Sequence, residues 1–256
     1  MSDIRVWSIK NKKEFRRQEF HIQDLQEVIA SSSEALLGLR MIARQYLPRL
    51  NATQPIAAIA LDEVNQLVLL EYRKGKYGQL IQKGLMQLDY VKEHLSEFKM
   101  LVADAGFDPK TIYWVPRLLI LGDDFNEFDA YAIRQLPYPI ELIKVASLVG
   151  EVFVFEKNFI SNHLQDHDCL PPQETTTVAL LRDLLQFVTS LGDEVVGLGR
   201  GNEYHFRKMK YFLTIEWNDG LKVHFIHKQK WMEKTIKTTI DLEKVYPLIE
   251  EAYDEG

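Results

Sequence analysis

Apolar positions change their spacing several times along the chain, and each change marks a new element. In residues 14–30, EFRRQEFHIQDLQEVIA, Phe15, Ile22, Leu25, Val28 and Ile29 recur near helical spacing. This predicts a surface helix with one buried stripe, ended by the SSSEALLGL that follows. From Ile56 to Lys74 the period gives way to two apolar runs, IAAIAL and QLVLLEYR, joined by DEVN. A short polar turn between such runs predicts an antiparallel hairpin at the centre of a sheet. In residues 78–103, Leu80, Gly84, Leu85, Leu88, Val91, Leu95 and Phe98 return to a helical stripe, with glutamines and charges opposite.

The loop DAGFDPKT leads into TIYWVPRLLILG, whose β-branched, aromatic and aliphatic content predicts a further strand. FNEFDAYAIRQL reads as a helix closed by Pro137, and IELIKVASLVGEVFVFEK as strands broken around Gly150. Residues 1–157 are therefore expected to form one α/β layered domain. Residues 158–176, NFISNHLQDHDCLPPQETT, have no period and contain a Pro-Pro pair, so a linker is expected there.

Beyond the linker, Val178, Leu181, Leu184, Leu185, Val188 and Leu191 form a helical apolar face with Gly192 at the capping position. Leu213, Ile215 and Trp217, then Leu221, Val223 and Phe225, alternate with polar residues around Asn218-Asp219-Gly220. That is a hairpin with a three-residue turn. Residues 241–253 look helical, with a kink or restart expected at Pro247. Residues 177–256 thus read as a small α+β domain.

Composition adds boundaries to this outline. At 256 residues the chain suits two compact domains, and 46% hydrophobic residues can fill both cores. Cys169 is the only cysteine, so no intramolecular disulfide and no cysteine-based zinc site can form. The longest apolar runs fall far short of the ~18 residues of a membrane span, and the N-terminus lacks a signal-peptide pattern. A cytoplasmic protein is expected, with no membrane partner.

The segment PIAAIALDEVNQLVLLEYRKGKYGQLIQKGLMQLDYV, residues 55–91, resembles the core of the PD-(D/E)xK nuclease superfamily. There, an Asp on one strand is followed across a hairpin by E-x-K and then by a helix. SSEALLGL, VPRLLILGDDFNEFDAYAI and IELIKV extend the resemblance over roughly residues 14–156. It implies a restriction-endonuclease-like mixed sheet with flanking helices. It also implies a site where two carboxylates hold Mg²⁺ and a lysine activates or orients water for attack on phosphate.

Carried onto this sequence, Glu71 takes the place of the motif glutamate, but Ala57 stands where the first Asp belongs and Arg73 where the lysine belongs. Arginine keeps its proton at neutral pH and cannot act as a general base, although it can bind phosphate. Asp62 lies beside the hairpin turn, several residues from the ligand position, and Lys74 faces away from Arg73 by strand alternation. Lys83 lies on the following helix, where a migrated lysine is a variation of the superfamily. The expectation is a non-catalytic, nuclease-derived domain with no cofactor. The alternative is a Mg²⁺-dependent nuclease using Glu71 with Asp62 or Glu63.

A net charge of −6 does not mark a nucleic-acid binder, but charge is unevenly spread. Between Arg200 and Lys237 nine Lys and Arg face four acids, a local excess of five. Arg207, Lys208, Lys210, Lys228, Lys230 and Trp231 are the candidate nucleic-acid contacts, with Tyr204, Phe206 and Tyr211 interleaved as possible stacking partners. The C-terminal 80 residues also resemble a domain of unknown function that recurs behind nuclease-like modules. DNA or RNA is one expected partner, and another protein is the other. In NHLQDHDC, His163, Asp166, His167, Asp168 and Cys169 offer metal-ligand types, but the loop character and lack of a distant ligand favour a solvated linker.

Overall fold

The structure, a computed structural model, describes residues 6–10, 12–48, 54–75, 80–149, 152–161, 164–167, 169, 175–218 and 220–255. It is a mixed α/β protein that divides into two compact units. The first is Met1–Ser33, Arg40–Leu61 and Asn65–Ser161; the second is Glu34–Leu39, Asp62–Val64 and Asn162–Gly256.

The first unit opens with β1 (Val6–Ser8) and β2 (Lys13–Phe15), an antiparallel pair, and β3 (Arg17–Gln18). Helix α1 (Ile22–Leu37) therefore starts later and ends later than its apolar spacing suggested. The buried positions Leu25, Ile29, Ser33 and Leu37 repeat every four residues straight through the serine run. Ser31 Oγ bonds back to the Val28 carbonyl at 3.2 Å, a local bond compatible with a helix interior. Gly38, at φ +64°, stops the helix.

Next come β4 (Arg40–Tyr46), β5 (Ile56–Leu61) and β6 (Gln66–Arg73), an antiparallel meander whose last two strands form the expected hairpin. The long helix expected over 78–103 is two, α2 (Leu80–Glu93) and α3 (Leu95–Asp104). His94, at ψ 37°, leaves the helical region between them. A 3₁₀ turn, Pro109–Thr111, leads into β7 (Tyr113–Gly122), parallel to β6. Helix α4 (Glu127–Arg134) begins with a reciprocal capping box between Asn126 and Asp129. β8 (Ile140–Leu148) then lies parallel to β7 and antiparallel to β9 (Val152–Ile160).

The resulting seven-stranded sheet has the order β3-β8-β7-β6-β5-β4, with β9 on β8. Its central strands are buried at almost every position. Such continuous burial explains why they read as unbroken apolar runs. Helix α2 packs on β6 and β7 through Gly84, Leu88 and Val91. A Cβ at Gly84 would lie 2.2 Å from Leu118 Cδ2, so this glycine sets how closely helix and sheet approach.

The second unit contains β10 (Leu164–His167), α5 (Thr175–Thr189), β11 (Val196–Arg200), β12 (Glu203–Arg207), β13 (Tyr211–Glu216), β14 (Leu221–His227), β15 (Lys230–Ile236) and α6 (Thr239–Glu255). The strands follow one another in sheet order from β10 to β15, and all pair antiparallel except β10 with β11. The segment expected to be a linker is thus partly strand: β9 runs to Ile160, and β10 adds an edge to the second sheet. A four-residue edge strand is held by main-chain bonds and leaves no side-chain period to detect. The Pro171-Pro172 pair lies outside the described residues.

The hairpin of β13 and β14 forms as its alternation indicated, although Asp219 in its turn is outside the described residues. Pro247 lies within one continuous helix rather than restarting it. It is exposed, so water can reach the carbonyl that loses its donor. Helices α5 and α6 cover one face of the sheet around Phe206, Phe212, Leu213, Val223 and Phe225. Among the described residues, no helix is long and apolar enough to cross a membrane.

Candidate functional site

Strand β6 places Leu67, Leu69, Glu71 and Arg73 on one side by alternation. Glu71 therefore stands where α2 crosses. Its carboxylate is 2% exposed and is bonded from three directions. Lys83 Nζ donates to Oε2 at 2.8 Å, while Gln87 Nε2 and the Ala57 backbone N–H donate to Oε1 at 2.7 and 3.2 Å. Lys83 and Gln87 are one helical turn apart, so both reach the same strand residue. The register that sets Ala58 opposite Leu70 brings Ala57 beside Glu71.

The other expected members of this site are elsewhere. Arg73 Nη1 pairs with Asp129 at 3.0 Å, its Nε donates to the Gly75 carbonyl at 2.8 Å, and its guanidinium lies 5.6 Å from the Phe125 ring centre. It binds the start of α4 and is buried, which leaves it a structural rather than a phosphate-facing arginine. Lys74 leaves the strand on the other side and donates to the Phe20 carbonyl at 2.8 Å.

Asp62 is five residues beyond Ala57, roughly 16 Å of extended strand. It is buried and accepts from Val64 N at 3.1 Å and from Tyr211 Oη at 3.2 Å, within the second unit. Glu63 accepts from the Tyr211 backbone N–H at 2.8 Å. Both carboxylates thus bond within the second unit, to Val64 and Tyr211.

These residues do not fit a divalent cation. One oxygen of Glu71 faces an ammonium and the other two N–H donors, and Ala57 supplies no ligand where a second carboxylate would be needed. Among the described residues, no group of three His, Cys, Asp or Glu side chains is placed to hold a metal. Chemically, the arrangement is a charge-assisted hydrogen-bond network that holds α2 to β6.

Gln87 was the participant hardest to anticipate. It is buried on the same helical stripe as Gly84, Leu88 and Val91, not on the opposite face with the other polar residues. Its position four residues after Lys83 was the available signal.

A second polar network lies along β7, β8 and β9. Glu141 binds Arg117 Nη1 at 2.9 Å and Lys157 Nζ at 3.1 Å, with all three side chains almost wholly buried.

The cations of the basic C-terminal region fall into different environments. Arg207 is 2% exposed, with its guanidinium 5.7 Å from the Tyr211 ring centre. Lys208 lies over the Tyr253 ring at 4.2 Å, and Lys210 Nζ reaches the Ala35 carbonyl at 3.4 Å. Tyr204, Phe206 and Tyr211 are core residues, so stacked bases cannot reach them.

Lys210, Lys228 and Trp231 do come together, lining a groove of about 510 Å³ that Glu63 and Glu255 also line. Lys230 is exposed on the neighbouring strand β15. The turn joining β14 to β15 has Lys228 and Gln229 at φ 50° and 63°, and the Glu255 carboxylate accepts both of their N–H groups at 3.0 and 3.1 Å. Those two bonds hold the Glu255 carboxyl below its usual range.

Of the metal-ligand types in NHLQDHDC, His163 and Asp168 lie outside the described residues, and Asp166 and His167 are on β10. Cys169 Sγ lies 3.9 Å from the Glu203 carbonyl.

No family model, no curated protein and no solved structure matches this chain.

Proposed function

We propose that the protein is a non-catalytic cytoplasmic adaptor, built from a PD-(D/E)xK nuclease-like unit whose metal site has been replaced by a lysine and from a small α+β unit that binds a partner. The observation that carries this proposal is the saturation of Glu71 by Lys83, Gln87 and the Ala57 N–H. The ammonium of Lys83 neutralises the carboxylate that a Mg²⁺ ion would need. The hairpin bearing Glu71, the helix that follows it and the mixed sheet support a restriction-endonuclease-like origin.

Titration with Mn²⁺, followed by calorimetry, tests the first half of the proposal. No binding is expected in the wild type. Uptake that disappears in Glu71→Gln, or Mg²⁺-dependent cleavage of DNA that does the same, would restore the nuclease alternative.

A nucleic-acid partner is the second possibility, favoured by the meeting of Lys210, Lys228 and Trp231 in one groove. Two carboxylates in the same groove and the burial of Arg207 weigh against it. Fluorescence anisotropy with single-stranded and duplex probes separates the two. Binding through phosphates would fall steeply with salt, by a log–log slope of about 0.9 per duplex contact.

A further inference from the structure

The sheet of the second unit ends in an exposed edge strand. Strand β15 is the last in its sheet, and among the described residues only β14 pairs with it. All six residues from Lys230 to Thr235 are exposed, including Trp231 at 51% and Met232 at 44%. A strand of this length with an open row of N–H and C=O groups is a template for another strand. Ile236 anchors its end in the core, fixing which residues share which face. Lys230, Met232 and Lys234 lie on the side of the helices, and Trp231, Glu233 and Thr235 on the other.

The charges on this edge select the occupant. A second copy paired antiparallel must place residues of equal parity opposite each other. Centred on Met232, this sets Lys230 against Lys234 twice. Centred on Glu233 or Lys234, it sets that residue against itself. Like charges directly opposite are destabilising in every one of these registers. A phosphate backbone running along the edge would meet Glu233 at its middle.

We propose that β15 binds an extended segment of a partner protein as an added antiparallel strand. Read from its N-terminus, that segment carries an acid opposite Lys234, a base opposite Glu233, an apolar residue opposite Met232, an aromatic or apolar residue opposite Trp231 and an acid opposite Lys230. Main-chain hydrogen bonds supply affinity, and the two acids, four residues apart, supply register and choice. The inference rests on the adaptor function proposed above and names its partner's chemistry.

The probe is the fluorescently labelled peptide Thr-Glu-Lys-Val-Phe-Glu-Thr, titrated with the intact protein. Binding is expected, with protection from hydrogen exchange at every second amide of β15. The double variant Lys230→Glu and Lys234→Glu, both at exposed positions, should weaken binding about tenfold or more. The peptide with both glutamates replaced by lysine should bind that variant and not the wild type. Proline in place of the lysine opposite Glu233 should abolish binding, because the two-residue turn leaves Trp231, Glu233 and Thr235 with their N–H and C=O groups facing outward and that lysine's N–H is a ladder donor.

Absence of binding to the wild type, indifference to the charge reversal, or equal binding of the proline peptide would overturn the proposal. So would displacement of the peptide by a duplex oligonucleotide, which would assign the edge to nucleic acid. Mn²⁺ uptake at Glu71 would instead overturn the non-catalytic assignment of the first unit while leaving peptide binding in place. The two failures are therefore distinguishable.

Discussion

In the first sheet, Glu71, Arg73, Arg117 and Glu141 stand in strands buried on both faces, and each meets an opposite charge within 3.0 Å. In the second, Glu203, Thr214, Glu216, Lys222 and His224 alternate with core residues along β12, β13 and β14 and are only partly buried. There His224 lies 3.4 Å from Glu216 and 3.9 Å from Glu233, and His205 on the same face lies 3.1 Å from Glu203. A sheet covered on both sides tolerates a charge only when it is paired, because desolvation is costly. A sheet covered on one side leaves its polar face to water, which does most of the stabilising. The first sheet thus uses charge mostly as internal architecture and the second mostly as surface, with Arg207 and Asp62 as buried exceptions in the second unit.

The largest test of this contrast is at Glu141. Glu141→Leu leaves Arg117 and Lys157 as two buried cations without their shared carboxylate, and should cost about 3–5 kcal/mol. Glu216→Leu on the second sheet should cost under about 1 kcal/mol. Urea denaturation reads both as shifts in midpoint at unchanged slope. Equal losses would erase the distinction between the sheets.

A smaller effect separates the partners around Glu71. Lys83 is 20% exposed and Glu71 2%. Lys83→Met strands the carboxylate, whereas in Glu71→Gln the lysine can turn to water. The first should cost about 2–3 kcal/mol and the second about 1 kcal/mol. The reverse order would mean that Lys83, not Glu71, is the group held in a dry site.

Next in size is Gly84→Ala, whose new methyl would meet Leu118 Cδ2 at 2.2 Å. Overpacking of this kind costs about 1–3 kcal/mol. Leu118→Val should recover part of it if close packing is the cause, and a thermal-melt double-mutant cycle gives the coupling.

The same contrast governs what could be read in advance. The β13–β14 hairpin was legible because one covered face forces strict alternation. The β5–β6 hairpin was legible from its apolar runs and short polar turn. β15 was not, since KWMEKTI is exposed at six of seven positions and its turn, Lys228-Gln229, carries none of the usual turn residues. The bonds supporting that turn come from Glu255, 26 residues from Gln229. At the site, Glu71 and the substitutions at Ala57 and Arg73 were visible as motif positions. The saturation of Glu71 was not, because it depends on how closely Gly84 lets α2 approach the sheet. The grouping of Asp62 with Tyr211 was equally hidden, being a contact between residues 149 apart.

The smallest expected effect is at alkaline pH, where Tyr72 in the first unit and Tyr253 in the second resist ionisation for different reasons. Tyr72, in β6, is pushed up to about 12 mainly by burial. Tyr253, in α6, is also raised to about 12, but chiefly because its hydroxyl donates to Glu194. In both cases the folded state favours the neutral phenol. Their stabilising contribution is therefore complete below the ordinary tyrosine value of about 10 and is lost as pH rises through about 12. Glu194→Gln removes the charge that holds Tyr253 and leaves Tyr72 untouched. The tyrosinate absorbance titration of this variant should show one tyrosine moving towards the ordinary value while another stays late. Tyr253→Phe should reduce the loss of stability in the same alkaline window, and Glu194→Gln should have no effect on that loss in a Tyr253→Phe background. If both late tyrosines move together in Glu194→Gln, the two units are coupled in their response to pH, and the separation drawn between paired interior and solvated surface does not extend to their tyrosines.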